Sequence, residues 1–239
     1  KKSADFIIDK LIDDNGQLLK RYRNNNAGIS GMIEDYAFFI WGLIELYQAN
    51  FDSKYITVAS ELADYQIDHF WDFDNNGFYF TSDLSEQLIV RSKEIYDGAI
   101  PSGNSVSANN YLKLSRILSR PDYEDIAYKI SHAFAPNINR ANRGSSMLLQ
   151  AIDFMTGPSY EVIIAGNREK SEKILKILQK HPQFNKVLIL KDEKYDDIAF
   201  KYLEFYKSKN NGEPLVYVCQ NFTCDLPTDD IEKIQQLLK

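Results

Sequence analysis

The spacing of apolar residues along the chain changes character near residue 158. Before it the pattern predicts helices of two kinds. "KKSADFIIDKLIDD" (1–14) gathers Phe6, Ile7 and Leu11 on one side of an amphipathic helix, and "DSKYITVASELADYQIDHFW" (52–71) and "PDYEDIAYKISHAF" (121–134) have a similarly wet side, the last with Pro121 suited to a first turn. Between them, "GMIEDYAFFIWGLIELYQAN" (31–50) is apolar nearly all round, charged only at Glu34, Asp35 and Glu45, and "GSSMLLQAIDFM" (144–155) carries Asp153 alone. "NSVSANNYLKLSRIL" (104–118) is small and uncharged through its first two turns. A helix without a polar side is buried by neighbours. Alternating wet and buried helices predict antiparallel hairpins arranged as outer and inner rows of an α/α toroid. Three such hairpins make about half a ring, and no fixed-period repeat is present.

After residue 158 continuous apolar runs alternate with amphipathic ones: "YEVIIAG", "KVLIL" and "PLVYVC" read as strands, "NREKSEKILKILQKH", "EKYDDIAFKYLEFYKS" and "TDDIEKIQQLLK" as helices. That order predicts a small parallel βαβαβα layer. Gly157-Pro158 is the natural boundary. The fold expected is mostly α with an α/β C-terminal part: a partial toroid over 1–157 and a small α/β subdomain over 158–239.

Charge sharpens this division. Residues 1–158 hold 15 Lys/Arg against 21 Asp/Glu and residues 159–239 hold 13 of each, so the helical part carries the whole net charge of −6. No basic block tracks a nucleic-acid backbone, and no apolar run reaches the roughly 18 residues of a membrane span. Neither nucleic acid nor membrane is expected as a partner. No signal peptide is present and the chain begins at Lys1, so it reads as a piece of something longer. Cys219 and Cys224 are too few for a disulfide framework, and C-x₄-C without further ligands is a weak redox or zinc signal. Buried free thiols in a cytoplasmic protein are the expectation.

Three stretches are candidates for chemistry. Glu34 and Asp35 open a buried helix, where they either compensate its dipole or point into the ring as an acid or base. In "FWDFDNNGFYFTSD", Asp72, Asp74, Asn76-Gly77 and Asp83 match the opening of a Ca²⁺ loop, yet "GFYFTSD" and "QLIVRSKE" look like two strands, so a hairpin lead-in turn explains the same residues and no metal is expected. The aromatic cluster around Trp71 and Tyr79 reads as core before sugar-stacking wall. In "YDGAIPSGNSVSANNYLKL", Asp97 precedes a turn, Ser102 or Asn104 caps the next helix, and the uncharged polar residues beyond either fill a tight helix crossing or offer hydrogen bonds to a neutral polyol. Asp97 is expected to accept bonds from the turn's backbone or from Arg91 or Lys93. There is no G-x-G-x-x-G, P-loop or nucleophile elbow, and the three histidines are scattered, so no cofactor is expected.

Glu34-Asp35-Tyr36-Ala37-Phe38 with Leu46-Tyr47, Phe70-Trp71-Asp72 leading to Gly77-Phe78-Tyr79, the run Asp97–Ser105, and Val218-Cys219 through Cys224 to Pro227 together resemble the C-terminal portion of the thioredoxin-domain-containing family that includes spermatogenesis-associated protein 20. Asn76 departs from it, standing where the family has a second Gly. The resemblance implies a thioredoxin-like domain and further hairpins preceding this chain, and a toroid similar to N-acylglucosamine 2-epimerases and other six-hairpin sugar enzymes. It leaves the reaction open.

Two functions follow. In the first, a toroid pocket binds or processes a carbohydrate-like substrate, with Glu34, Asp35, Asp72 and Asp97 as acid/base candidates and Trp71, Tyr79, Ser102 and Asn104 as substrate contacts. In the second, the chain is a non-catalytic scaffold for the thioredoxin-like domain. An incomplete ring would leave Phe39, Ile40, Ile44 and Leu112 partly open, which predicts a homodimer.

Overall fold

A computed structural model describes residues 1–86, 89–192, 198–221 and 223–238. Helix α1 (Lys2–Leu11) leads into a hairpin of β1 (Leu19–Arg23) and β2 (Asn26–Ser30). Asn24 and Asn25 both hold positive φ, 51° and 57°, which makes a two-residue turn whose twist matches that of the strands it joins. Five helices follow: α2 (Ile33–Asn50), α3 (Ser53–Phe70), α4 (Gly103–Leu118), α5 (Pro121–Arg140) and α6 (Ser146–Thr156). Helix α4 packs on both α2 and α6, and α3 and α5 back α2 and α4. The mostly helical first part is therefore present, with α2 packed on α3, α4 on α5, and α4 between α2 and α6.

Burial explains the composition of α4. Nearly all of it, from Gly103 to Ile117 apart from Asn109 and Lys113, is buried, so a charge on most of its faces would have to be desolvated. Its small polar residues spend their hydrogen bonds inside. Asn110 Nδ2 donates to the Ala37 carbonyl of α2 at 2.7 Å, and Gln66 Nε2 of α3 donates to Ser107 Oγ at 3.3 Å.

The rest of the chain forms β3 (Tyr160–Ala165), α7 (Arg168–Lys180), β4 (Lys186–Lys191), a 3₁₀ helix (Ile198–Phe205), β5 (Leu215–Gln220), β6 (Thr223–Cys224) and α8 (Ile231–Leu237). The sheet order is β4-β3-β5-β6. Strands β3 and β4 are parallel as expected, but β5 runs antiparallel to β3. The reason lies at the end of β3: Asn167 N–H donates to Gly212 O at 2.9 Å, and a Cβ on Gly166 would stand 2.7 Å from the Cα of Pro214. The chain thus enters β5 beside the point where it left β3, and Ala165 pairs with Leu215. The helix expected after β4 is a 3₁₀ helix from Ile198, and its first part lies outside the described residues. One apolar cluster runs from Leu18 through the inner helices into β3, β4 and β5. Among the described residues no helix is long and apolar enough to cross a membrane.

Three further expectations are corrected. Ile40, Ile44 and Leu112 do not lie open. They are 0–1% exposed, closed over by their neighbours in the same core, and only Phe39 of that group stays partly exposed, so the seam argued to drive dimerisation is covered within the chain. The two strands expected around residue 80 are absent from the described residues; Gln87 and Leu88 lie outside them. One backbone bond joins the two segments, Phe80 N–H to Ser92 O at 2.7 Å, while the Asn104 side chain takes the N–H of Phe78 (2.7 Å) and donates to the carbonyls of Phe78 and Glu94 (both 2.9 Å), groups a ladder would use. Finally, Cys219 and Cys224 are not free thiols. Strand β5 turns back on itself, the two residues become direct partners of the β5–β6 ladder, and their sulfurs form a disulfide.

Candidate functional site

Helix α2 presents two faces. Tyr36, Ile40, Leu43, Ile44 and Tyr47 are buried in the core. Glu34, Phe38, Trp41 and Glu45, spaced i, i+4, i+7, i+11, form a second stripe that keeps some solvent contact. The rings of Phe38 and Trp41 lie 6.3 Å apart and pack on Ala37, Val106 and Met147. Opposite this stripe, α4 and α6 close a cleft of about 620 Å³, lined by Trp41, Asn109, Lys113, Gln150, Asp153 and Phe184. Phe184, in the loop before β4, is 90% exposed and walls the far side.

Most polar groups along the cleft have a partner within the fold. Lys113 Nζ ion-pairs with Glu45 at 2.5 Å, and Trp41 Nε1 donates to the same carboxylate at 3.3 Å. Asn185 Nδ2 donates to Asp153 Oδ2 at 2.6 Å. Asn109 donates through Nδ2 to the carbonyls of Ser105 (3.0 Å) and Met147 (2.8 Å), so its own carbonyl oxygen is the group it has left to offer on the cleft wall. A second cleft of about 550 Å³ adjoins through Lys113 and Phe184 and includes His181 and Lys186. Burial holds the pKa of both below the ordinary values, and the Lys186 charge adds to the lowering at His181.

Glu34 heads the α2 stripe. It lies against Gly103, where an added Cβ would come within 3.3 Å of its Cγ. Among the described residues nothing hydrogen-bonds or ion-pairs with its carboxylate. Burial raises its pKa, and the nearby charges of Glu94 and Asp35 push the same way. Because the folded-state value is raised, the protonated folded form is favoured. The stability this gives is complete at acid pH and is lost as pH rises through the folded value. Glu34→Gln, which cannot ionise, is expected to melt about 1–3 °C above the parent at pH 8 and to lose that advantage at pH 4. Melting curves at the two pH values check this, and an advantage growing toward acid contradicts it.

The other predicted residues are placed differently. Asp35 closes a capping box, accepting from Met32 N–H at 2.8 Å. Asp72 is buried at the start of a turn; burial pushes its pKa up, but Lys93 Nζ at 2.7 Å, the Asn75 donors and Tyr79 outweigh it and hold the carboxyl well below the usual range. That ammonium sits on the carboxylate a Ca²⁺ loop would need. Trp71 is core, edge-on to Phe78 at 4.9 Å. Tyr79 lies beneath the Arg91 guanidinium, 4.2 Å from its ring centre. Ser102 caps α4 by accepting from Ser105 N–H at 3.2 Å. Asp97 accepts from the turn as expected, at Ser102 N–H (3.0 Å), but its other oxygen faces Met147 N–H (2.8 Å) and Leu148 N–H (3.4 Å) of α6 rather than Arg91 or Lys93.

No family model matches the chain. Curated proteins do. The chain is homologous to spermatogenesis-associated protein 20. It is 30% identical to the human protein, with 90% of this chain aligned to 28% of that one, and 30% identical to the rat protein, with 98% aligned to 32%. An uncharacterised Caenorhabditis elegans protein, B0495.5, is 26% identical across 99% of this chain and 33% of its own length. The chain thus spans about a third of the relatives it matches. None of these names specifies a reaction.

In this homologue of spermatogenesis-associated protein 20, the Asp97–Ser105 run that carried the sequence resemblance forms a structural corner where α4, α6 and the backbone at Phe78 and Glu94 meet. Sequence reasoning overlooked Phe38, Trp41, Gln150 and Phe184. A signal for the first two was present: Glu34 and Glu45, the outermost charges of an otherwise apolar helix, are eleven positions apart and so share a face.

Proposed function

We propose that the inner helices form part of an α/α toroid whose concave face binds a carbohydrate-like ligand. The observation that carries this reading is the cleft lined by Trp41 and Phe184 together with the amides of Asn109, Gln150 and Asn185. Aromatic faces suit the apolar side of a sugar ring, and fixed amides suit its hydroxyls. The charges there, Glu45 with Lys113 and Asp153 with Asn185, are already partnered, which favours a neutral polyol over a strongly charged ligand. Glu34, with a raised pKa at the head of the same stripe, is the group this reading assigns as an acid if the ligand is also processed. Hairpins preceding this chain would complete the ring.

Trp41 supplies the test. Titration with neutral mono- and disaccharides, read by Trp fluorescence, is expected to give a saturable change, since Trp71 is buried and Trp41 is not. Trp41→Ala is expected to weaken binding at least about tenfold. Its thermal stability should stay close to the parent's. Absence of saturable binding across the sugar series overturns the reading.

The scaffold reading, in which the chain serves a thioredoxin-like domain, has its own support. Asp72, Asp97, Ser102 and Asn104 are all spent on holding the loops to the helices. Sugar binding without turnover in a protein that includes the preceding region, unchanged by Glu34→Gln, would favour it.

A further inference from the structure

The disulfide stands on unequal footings. Cys219 is 1% exposed and lies within β5, paired with Glu161 of the central strand β3. Cys224 ends a two-residue edge strand and is partly exposed. Only four residues separate them, at positions 220–223, so the bond closes a very short loop. The stabilisation a cross-link gives by restricting the unfolded chain grows with loop length, and a loop of this size stands at the low end of its range. A staple explains this bond poorly. Two features of the surroundings suit a bond that opens. The Tyr206 hydroxyl is 3.5 Å from Cys224 Sγ, and since a disulfide sulfur has no hydrogen, the hydroxyl is the donor. Burial, with the charge of Glu161 and the ring of Tyr217, raises the Tyr206 pKa and keeps it protonated for that role. Cys219 lines a cavity of about 210 Å³ with Arg116, Tyr202 and Tyr206, which leaves room for a separated sulfur.

We propose that Cys219 and Cys224 are a thiol–disulfide exchange site, at which a dithiol reductant attacks Cys224 and releases Cys219 inside the sheet. The reductant's first thiolate bonds to Cys224 Sγ. The Cys219–Cys224 bond breaks, its electron pair leaves on Cys219 sulfur, and that sulfur takes up a proton. The reductant's second thiolate then attacks the reductant's own sulfur in the mixed disulfide. Cys224 leaves as a thiolate, accepts the Tyr206 hydrogen bond, and is protonated in turn. The protein disulfide gains two electrons and two protons, and the dithiol becomes an intramolecular disulfide. Attack falls on Cys224 because it is the accessible sulfur. Reduction unfastens β6 from β5, leaving the Val216–Thr228 bridge to hold the segment that leads to α8.

The intact chain, oxidised in air, is treated with dithiothreitol without denaturant and quenched with iodoacetamide for mass spectrometry, with circular dichroism followed in parallel. Alkylation of both cysteines with an unchanged spectrum is expected. Reduction that occurs only together with unfolding, or free thiols in the air-oxidised protein, would overturn the proposal. The single variants test the asymmetry. Glutathione disulfide is expected to modify Cys224 in Cys219→Ser at least about tenfold faster than Cys219 in Cys224→Ser. Equal rates would contradict the assigned point of attack.

Discussion

Asp97→Ala is expected to lower stability by about 3–5 kcal/mol, because one carboxylate serves the starts of two inner helices. Asp97 sits in a loop, yet one oxygen accepts Ser102 N–H at the head of α4 and the other accepts Met147 and Leu148 N–H in the first turn of α6. Helix α6 has no cap of its own, since the side chain of Ser145 makes no capping bond. The first N–H groups of a helix have no partner within it, and Asp97 meets two of those of α6 from fifty residues away in sequence. Truncation leaves the buried N–H groups of Ser102 and Met147 without acceptors, each costing about 1–3 kcal/mol, and removes a negative charge from the positive end of a helix dipole. For a chain of this size the loss amounts to a fall in Tm of roughly 10 °C. Asp97→Asn keeps the shape and one acceptor, so it should fall between the parent and alanine. Chemical denaturation of the three proteins measures the series, and an alanine variant with the parent's midpoint would show that the bonds carry no net stability.

The same residue shows where sequence reading succeeded and where it stopped. The helical part was legible because burial sets its composition: a largely covered helix, such as α2, carries charge only at its ends and at the edge that reaches the cleft. That Asp97 would be bonded inside the fold was legible too, since an acid beside a run of small uncharged residues needs donors. Its partners on α6 were not, because contacts across fifty positions leave no local spacing. The β1–β2 hairpin was missed although Asn24-Asn25 is a turn pair tolerant of positive φ; the flanking residues Lys20, Arg21 and Arg23 disguise the strands. The direction of β5 was hidden for a different reason. A strand covered on both faces is apolar throughout, and its composition is the same whichever way it runs. What reverses β5 is the approach of Gly212 and Pro214 to the end of β3, a tertiary contact. The surroundings of the candidate site residues were hidden by the same logic. Polar residues in uncharged surroundings were taken as ligand-facing, whereas a buried polar side chain must first satisfy nearby backbone, and Asp72, Asp97 and Asn104 do so. Glu34 alone among the predicted acids has no such employment.

Arg116→Met is expected to cost about 3–5 kcal/mol, for a reason distinct from lost capping. Arg116 lies on α4 with its side chain 2% exposed. One terminal nitrogen donates to Glu124 of α5 at 2.9 Å, and Nε stands 3.3 Å from Glu161 of β3, an ion pair rather than an aligned hydrogen bond. Glu124 is 32% exposed and can turn to water when the arginine is gone, so its loss matters little. Glu161 cannot. Its side chain is 4% exposed on β3, and removing the guanidinium takes the Arg116 charge away from a buried carboxylate. Breaking such a pair from one side costs more than the pair contributes when intact, because the desolvation already incurred by Glu161 is then offset less. Methionine keeps most of the arginine stem's packing, so the measured loss reports charge rather than a cavity. A second substitution separates this account from simple damage to the helix–sheet contact. In Arg116→Met/Glu161→Leu the buried carboxylate is gone as well, and the double variant is expected to recover at least about half of the stability lost in the single one. If both variants unfold at the same denaturant concentration, the loss of charge beside the buried carboxylate is not what destabilises the first, and the arginine stem's packing between α4 and β3 is.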